Sequence, residues 1–341
     1  MRVFDGHNDV LARLHAGEGT EEEFLGGGGD GHLDLPRARA GGLAGGLFAI
    51  FPADPFTGEQ DRHAVDYRRA VEPRVALADT LAMTARLLGI ERRAGGALRI
   101  VRDAAALDAC VADGALAAVL HLEGAEPLGP GLEELEVLHA AGLRSLGLAW
   151  SRPNAFADGV PFAFPGHPDD EPNGLTDAGR ALVRACNALG VVVDCSHLTG
   201  RGFREVAEIT DAPLVASHSN AHALCPSPRN LTDEQLRAIG RSGGVVGLNF
   251  NVGFTRADGA DEPDTPLSAV AAHAAHIAEV AGVDAVALGS DFDGATMPAP
   301  LADASKLPAL LDALRAAGFG EADLEKIAME NWRRVLRATW R

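Results

Sequence analysis

Cysteine, basic residues and long apolar runs are all scarce in this sequence. Lysine and arginine together number 30 against 48 aspartate and glutamate residues, so the net charge is -18. That charge repels phosphate backbones and anionic lipid surfaces, which argues against nucleic-acid and membrane partners. The four cysteines show no CxxC pair, and a chain of 341 residues needs no disulfide staples. We expect reduced, mostly buried thiols at Cys110, Cys186, Cys195 and Cys225.

Membrane-spanning and secretory segments are also missing. No stretch holds about 18 uninterrupted apolar residues, the length that a transmembrane helix needs. Met1 and Arg2 lead directly into an apolar run and leave no room for a signal peptide, although a chain trimmed of its signal would look the same. We therefore expect a cytoplasmic protein. The sequence leaves both a monomer and a homodimer open.

The remaining composition is typical of an enzyme-sized globular chain. Hydrophobic residues make up 47% of it, enough to bury a large core. No linker or internal repeat divides the sequence, so we expect one domain that covers residues 1–341. The segment from Leu11 to Leu33 contains four consecutive glycines and is interpreted as a long loop. An active-site lid and a merely flexible surface loop explain this segment equally well.

Eight short apolar runs are typical of β-strands, and segments with helical periodicity lie between them. The runs cover Val3 to Phe4, Gly46 to Phe51, Ala117 to Leu122, Arg144 to Ala149, Val191 to Asp194, Leu214 to Ala216, Val245 to Asn249 and Ala285 to Gly289. The helical segments cover Asp66 to Leu88, Thr176 to Leu189, Gly202 to Ile209, Thr232 to Gly240, Pro266 to Ala281, Lys306 to Ala317 and Glu321 to Leu336. Alternation of strand and helix predicts a parallel sheet.

Eight such units predict an α/β fold, a (β/α)8 TIM barrel with extra C-terminal helices. This barrel carries its catalytic side chains at the C-terminal ends of its strands. A doubly wound open sheet is the rival fold. It would not bring residues from the first and the eighth strand into one site, which the motifs below require.

Six candidate metal-site side chains stand at the ends of strands one, three, five, six and eight. They are His7, Asp9, Glu123, His197, His218 and Asp291. His7 and Asp9 are two residues apart, so on an extended strand both point to the same face and one ion can take both. The imidazoles of His197 and His218 can hold a second ion. All the donors are nitrogen or oxygen atoms, which suits zinc and also manganese or cobalt.

Two carboxylates in this set have distinct expected roles. Glu123 can bridge two ions through its two oxygens. The only lysines, Lys306 and Lys326, lie far beyond the strand ends, so a carboxylated lysine cannot serve as the bridge. Asp291 can bond a metal-bound water and act as general base.

A lone aspartate or histidine at a strand end is more often a hydrogen-bonded structural residue than a ligand, but six matching strand ends favour a metal site. Asp5, Asp194 and Asp293 are interpreted as structural residues that cap loops or orient ligand imidazoles. His121 lies two residues before Glu123. It is interpreted as a buried histidine below the site rather than as a ligand of a third ion.

Short motifs surround the candidate residues. They are Asp5-Gly6-His7-Asn8-Asp9, Leu122-Glu123-Gly124, Asp194-Cys195-Ser196-His197, Ser217-His218-Ser219-Asn220, Pro228-Arg229-Asn230-Leu231 and Gly289-Ser290-Asp291-Phe292-Asp293-Gly294. Together with Asp34-Leu35-Pro36-Arg37, and in this order from Val3 to about Val335, they resemble the membrane dipeptidase (renal dipeptidase) family of amidohydrolase-type barrels.

The resemblance implies a zinc-dependent dipeptidase with two Zn²⁺ ions per chain, in which a metal-bridged hydroxide attacks the peptide bond. Glu123 bridges the ions, and the other four ligands divide between them, His7 and Asp9 on one side and His197 and His218 on the other. By the same resemblance Asp291 handles the proton, and Arg229 binds the C-terminal carboxylate of a small dipeptide substrate. Tolerance of a C-terminal D-residue is also implied.

Two positions depart from the vertebrate members of that family. Trp150 stands where they have a substrate-contacting histidine, and Phe254 stands where they have a tyrosine near the carboxylate pocket. Neither residue belongs to the metal set, so the departures bear on substrate preference alone. We predict that both side chains line the substrate pocket, with plain packing as the alternative for Trp150.

Other functions stay open on the sequence. A related amidohydrolase that acts on a small amide, lactone or cyclic substrate would share every metal ligand, and Arg229 alone argues against it. A catalytically silent metal-binding or interaction barrel would be expected to have lost Glu123 or Asp291, and both are present. A zinc-dependent DNA-repair barrel is disfavoured by the charge of -18 and the absence of a basic stripe.

Overall fold

The strands of this chain are short and mostly buried. A computed structural model describes residues 1–52 and 69–340. Its strands are β1 Val3–Asn8, β2 Leu43–Ile50, β3 Leu98–Ile100, β4 Leu116–Glu123, β5 Leu143–Gly147, β6 Val192–Asp194, β7 Val215–Ala216, β8 Val245–Leu248 and β9 Val286–Leu288. Strands covered by helices outside and side chains inside have little contact with water, so most of their sequences are apolar runs instead of alternating ones. The exception is β1, which is buried although it contains Asp5, His7 and Asn8.

Eight of these strands close a parallel barrel. The hydrogen-bonded order is β2-β1-β9-β8-β7-β6-β5-β4, and β2 also pairs with β4, which joins the two ends. The contact of β1 with β9 comes from the pair Asp5 and Leu288, so the first and last strands are neighbours. The predicted (β/α)8 barrel is confirmed. The short β3, which was not predicted, pairs with Leu116 to Ala118 at the start of β4.

Helices connect the strands and follow the last one. They are α1 Val10–His15, α2 Glu21–Gly26, α3 Leu35–Gly41, α4 Pro73–Arg93, α5 Ala104–Ala112, α6 Glu133–Ala141, α7 Asp177–Leu189, α8 Gly200–Ile209, α9 Asp233–Ser242, α10 Val252–Thr255, α11 Leu267–Ala281, α12 Leu307–Ala316, α13 Glu321–Glu325 and α14 Asn331–Thr339, with one π-helical turn, Lys326–Glu330, between the last two. No helix among the described residues is long and apolar enough to cross a membrane.

Local signals explain the helix ends that were predicted well. Thr176 accepts the backbone N–H of Gly179 over 3.1 Å and begins α7, and Gly190 ends it in the left-handed conformation. A capping box of Thr232 and Gln235 begins α9 in the same way. These caps satisfy backbone groups that a helix end leaves unpaired.

Two sequence predictions differ most from the structure. The helix expected from Asp66 begins at Pro73, because proline is favoured at the first helical position, and it runs on to Arg93; residues 66–68 lie outside the described residues. The segment from Leu11 to Leu33 is not one long loop. It contains the end of α1 and all of α2, whose capping box at Thr20 was overlooked beside the four glycines.

The C-terminal helices close one end of the barrel. Trp332 in α14 is fully buried, packs against Phe4 with ring centroids 5.8 Å apart, and donates its indole N–H to Leu288 O over 2.9 Å. The buried apolar cluster around Trp332 includes Val192, Val215 and other residues near the starts of strands. This apolar end leaves the opposite end, where the strands finish, for the polar side chains.

Candidate metal centre

Every sequence-predicted metal ligand lies at the carboxyl end of a barrel strand. His7 is in β1, Glu123 is the last residue of β4, and the other candidates lie within three residues of a strand end. All of them are buried: His7, Asp9, Glu123, His197, His218 and Asp291. The barrel therefore brings together six side chains that are far apart in the sequence.

Glu123 stands between two groups of ligand atoms. Its Oε2 lies 3.5 Å from His7 Nε2. Its Oε1 lies 3.1 Å from His197 Nε2 and 3.5 Å from His218 Nε2. The two oxygens of one carboxylate thus face two different sets of donors, which is the arrangement that a bridging ligand requires.

The first group consists of His7, Asp9 and Asp291. One ligand atom from each lies within 4.8 Å of the other two. His7 Nε2 is 3.5 Å from Asp9 Oδ2. The expectation that Asp9 extends the strand was wrong, because it follows β1 with φ -103° and ψ 21° and forms the N-cap of α1. The turn still aims its carboxylate at the His7 imidazole.

The second group consists of two imidazoles that serines orient. Ser151 Oγ lies 2.7 Å from His197 Nδ1, and Ser217 Oγ lies 2.7 Å from His218 Nδ1. Ser217 also donates to Asp194 Oδ2 over 2.5 Å, so its oxygen accepts from the His218 Nδ1–H. That tautomer directs the Nε2 lone pair of His218 towards the site.

The three carboxylates predicted to be structural act through the backbone and through hydroxyls. Asp5 accepts from Ser290 N over 2.6 Å and from Ser290 Oγ over 2.9 Å, and burial raises its pKa to about 6. Asp194 reaches His218 only through Ser217. Asp293 accepts from His32 N over 2.6 Å. Thus none of the three binds a ligand imidazole directly, although all three hold the loops that carry the ligands.

His121 is buried next to the His7 ring, as predicted, but its Nε2 has no hydrogen-bond partner among the described residues. It is fully buried, and its Nδ1 is 2.9 Å from Ser145 Oγ. Its Nε2 is 3.7 Å from Asp194 Oδ2. Burial lowers the pKa of His121 to about 4, so it is neutral at pH 7. We interpret it as packing below the site.

Asp291 lies on a strained turn. Asp291 and Asp293 have φ of 64° and 66°, in the left-handed region that non-glycine residues adopt rarely. Asn249 Nδ2 donates to Asp291 Oδ2 over 2.9 Å, and Asp291 N donates to His7 O over 3.0 Å. A side chain at Gly294 would collide with the Asp9 carboxylate, so only glycine allows the turn to pass this close. Such strain is commonly held at functional sites.

Burial and neighbouring charges set the protonation states of the ligands. Burial lowers the pKa of His197 and of His218 well below the ordinary value, so both are neutral at pH 7. Burial alone would lower the pKa of His7, but Glu123 and Asp9 outweigh it and hold the pKa well above its ordinary value. Burial raises the pKa of Glu123 to about 7. The cluster therefore favours positive charge beside Glu123 and Asp9.

This donor set fits divalent metal ions. In the described part of the chain, neither ring nitrogen of the buried His7 has a hydrogen-bond partner. The Nε2 atoms of His197 and His218 lie 3.0 Å apart, so one imidazole donates to the other unless a cation takes both nitrogens. Unsatisfied buried nitrogens are costly in an ordinary core, whereas a metal ion would satisfy them.

Arg229 lies beside the second group of ligands with its guanidinium buried. Its Nη2 donates to His218 O over 3.1 Å, and its Nε has no hydrogen-bond partner among the described residues. Burial lowers its pKa to about 10, so it stays charged at pH 7. A carboxylate is the natural partner for a buried guanidinium with a spare N–H donor.

Aromatic rings form a wall beside the metal ligands. Phe51 and Trp150 have ring centroids 5.0 Å apart, Trp150 and Phe162 5.2 Å, and Phe162 and Phe254 5.8 Å. The guanidinium carbon of Arg229 lies 5.5 Å from the centroid of the Phe254 ring. We call these four rings the aromatic wall.

Several residues of the site were not predicted from the sequence. Ser151 and Ser217 each adjoin a residue that was singled out, and Asn249 ends a predicted strand, so a search for partners of the ligands would have found them. Phe162 lies in the irregular segment between β5 and α7, where no periodic pattern distinguishes it.

Comparisons with known proteins agree with the geometry. The family model described as membrane dipeptidase (peptidase family M19) matches residues 1–340. A metallo peptidase from Rhodobacter sphaeroides, solved with a phosphinate mimic of the dipeptide L-Ala-D-Ala, is 46% identical with a TM-score of 0.94, covering 100% of this chain and 99% of that one.

Two curated relatives extend the comparison. An uncharacterized protein in the pqqA 5' region of Klebsiella pneumoniae is 46% identical over 245 residues, 72% of this chain and 90% of the relative. The dipeptidase tcpJ of Claviceps purpurea is 29% identical over 350 residues, 98% of this chain and 76% of the relative.

Proposed function

This chain belongs to the membrane dipeptidase family, peptidase family M19, whose dipeptidases hydrolyse peptide bonds, and from that premise we propose that it is a binuclear zinc dipeptidase. Its substrates are dipeptides, including those with a C-terminal D-residue. The Rhodobacter sphaeroides relative that was solved with a mimic of L-Ala-D-Ala supports that choice of substrate.

The observation that carries the proposal is the position of Glu123. Its two oxygens face separate donor groups, with His7 on one side and His197 and His218 on the other. We assign His7 and Asp9 to one ion, His197 and His218 to the other, and Glu123 to both. Zn²⁺ suits these nitrogen and oxygen donors, as do Mn²⁺ and Co²⁺. When bound, the ions lower the pKa of water and polarise a carbonyl oxygen.

Asp291 is the residue to which we assign proton transfer. It is close to both His7 and Asp9, and Asn249 fixes one of its oxygens. The carboxylate takes a proton from the attacking water and returns it to the leaving amine, which must be protonated to depart. Its strained turn holds the carboxylate in place before substrate arrives.

Arg229 gives the site its preference for a free C-terminus. Its buried guanidinium lies across the aromatic wall from His197 and would bind the substrate carboxylate through two charge-assisted hydrogen bonds. Arg229 is held beside the ligand His218 by the hydrogen bond from its Nη2 to His218 O. We therefore assign to this cation a preference for substrates in which one residue separates the scissile bond from a free carboxylate, a condition that dipeptides meet.

A dipeptide and its C-terminal amide test the function together. We expect the metal-loaded protein to hydrolyse L-Ala-D-Ala and L,L-dipeptides, and to turn over the matching dipeptide amides poorly, because the amide lacks the charge that Arg229 binds. Equal kcat/KM for the acid and the amide would move the assignment to a broader amidohydrolase that acts on small amides, lactones or cyclic substrates.

Arg229→Lys is expected to weaken dipeptide hydrolysis selectively. Lysine keeps the charge but cannot make two parallel hydrogen bonds, so kcat/KM for dipeptides should fall by about 1.5 to 3 kcal/mol, or roughly 10- to 150-fold. The dipeptide amides serve as the control and should change little. If Arg229 only held the loop from Cys225 to Leu231, acid and amide substrates would lose activity by the same factor.

A further inference from the structure

The aromatic wall runs from the metal ligands to the carboxylate-binding arginine. At one end Trp150 and Phe162 contact the His197 ring, with centroid distances of 5.6 Å and 6.3 Å. At the other end Phe162 stacks on Phe254, which lies beneath Arg229. Phe162 is the ring that contacts both ends, so it spans the interval between the two groups.

One part of the substrate has to occupy that interval. If the scissile carbonyl lies at the metal centre and the terminal carboxylate lies at Arg229, the residue between them is the C-terminal residue of the dipeptide. The side chain of that C-terminal residue therefore branches from the substrate backbone close to the aromatic wall. This step rests on the proposed function, since it uses the roles assigned there to His197 and Arg229.

The wall offers an apolar surface. Three of its four rings are phenylalanines, and the Trp150 indole nitrogen is the one hydrogen-bonding group that the four side chains carry. Each ring is only partly buried. The nearby charge of Arg152 is already matched, because its Nε lies 2.8 Å from Glu126 Oε1 and its side chain lies behind the Phe51 and Trp150 rings. Among the described residues of the wall, only the Trp150 indole carries a hydrogen-bonding group, so a polar substrate side chain would lose most of its hydrogen bonds to water on this surface.

Phe162 is held rigidly although its segment is irregular. Two residues before it, Val160 N donates to His197 O over 2.8 Å. Four residues after it, Gly166 N donates to Pro226 O over 2.9 Å, and His222 Nε2 lies 2.9 Å from Gly166 O. These contacts anchor the backbone on both sides of Phe162, and the ring itself packs against Trp150 and Phe254, which limits its rearrangement when a substrate side chain binds.

From these contacts we propose that Phe162 is a specificity-determining residue, and that the enzyme selects dipeptides whose C-terminal side chain is apolar. Phe162 faces that side chain and excludes water from it. Polarity rather than size is the selected property, because Phe162 and the other two phenylalanine rings of the wall have no group that could bind a hydroxyl or an amide.

Isosteric substrate pairs separate polarity from size. L-Ala-Val is compared with L-Ala-Thr, and L-Ala-Leu with L-Ala-Asn, each with the C-terminal residue in the configuration, L or D, that the enzyme hydrolyses faster. We expect the apolar member of each pair to have a kcat/KM about 10- to 100-fold higher, the range for such discrimination by an apolar pocket. Phe162→Ala should lower this ratio by about 5- to 10-fold as water enters.

Two variants control for loop damage. Phe162→Leu keeps an apolar side chain and should retain most of the ratio. Phe164→Ala removes the same ring from the same segment, but Phe164 is 40% exposed and packs over Gly259, so the ratio should not change.

The outcomes are distinct. A ratio near one in the wild type, a ratio that survives Phe162→Ala, or an equal fall in Phe164→Ala would overturn the proposal while leaving the dipeptidase assignment intact. Failure to hydrolyse any dipeptide would instead reject the proposed function. Thermal melting of each variant shows whether it is folded, and the wild-type ratio still tests the selection for apolar side chains if Phe162→Ala is not.

Discussion

Glu123→Gln is expected to reduce bound metal from about two ions per chain to one or fewer. The glutamine has the same size but no charge and a single oxygen, so it cannot present an anionic oxygen to both donor groups. Removing a residue that only orients a metal ligand through a hydrogen bond already lowers metal affinity or activity by about 10- to 100-fold. Because Glu123 contacts both groups directly, kcat should fall by more than about 100-fold. Metal analysis after gel filtration measures the first effect.

Glu126→Gln is the matched control for this variant. Glu126 follows three residues later, is equally buried, and pairs with Arg152 instead of the histidines. It should keep its full metal content. If Glu123→Gln also retained two ions per chain, the bridging role would be wrong, and the two oxygens of Glu123 would have to be read as hydrogen-bond acceptors only.

Asp291→Asn is expected to lower kcat by about 100- to 10,000-fold, the usual contribution of a positioned general base. Asparagine tolerates the left-handed backbone at this position and can still accept from Asn249, so the fold should be unaffected. Metal content should stay near that of the wild type. Steady-state kinetics with one dipeptide, together with metal analysis, separates loss of the base from loss of an ion.

Asp293→Asn makes the same change on the same turn. Asp293 shares the positive φ but binds His32 and not the metal ligands, so its replacement should change kcat much less. An Asp291→Asn variant that kept more than about a tenth of wild-type kcat would mean that another group carries the proton. If that variant lost a whole metal equivalent, the main role of Asp291 would be metal binding and not proton transfer.

The barrel was predictable because its strands are buried on both faces. Most barrel strands appear as apolar runs, and the ligands stand at or just after the ends of those runs, as Glu123 follows Leu116 to Leu122. The parallel order then places all strand ends on one side, so the sequence was sufficient to predict that residues of β1 and β9 would meet. The conformation of Asp9 was not predictable, because a helix starts immediately after it.

Features that depend on contacts between distant irregular segments could not be predicted. Glu126 and Arg152 are 26 residues apart and neither has a periodic neighbourhood, yet they form a buried ion pair. Phe162 contacts His197 from a segment without a periodic pattern, which hydrogen bonds at Val160 and Gly166 attach to the loops that follow the strands. The short β3 was missed for a related reason, since three residues carry too little pattern to distinguish a strand from a turn.

The assignment as a binuclear dipeptidase is tested most directly by titrating the metal-free protein with Zn²⁺. Two quantities are measured, the number of bound ions and the rate of L-Ala-D-Ala hydrolysis. Zn²⁺ is added in steps to the chelated protein, bound ion is counted after desalting, and the rate is measured at each step. The arrangement around Glu123 predicts saturation at about two equivalents per chain, with full activity reached only as the second ion binds. Saturation and full activity at one equivalent, or hydrolysis by the metal-free protein, would contradict it.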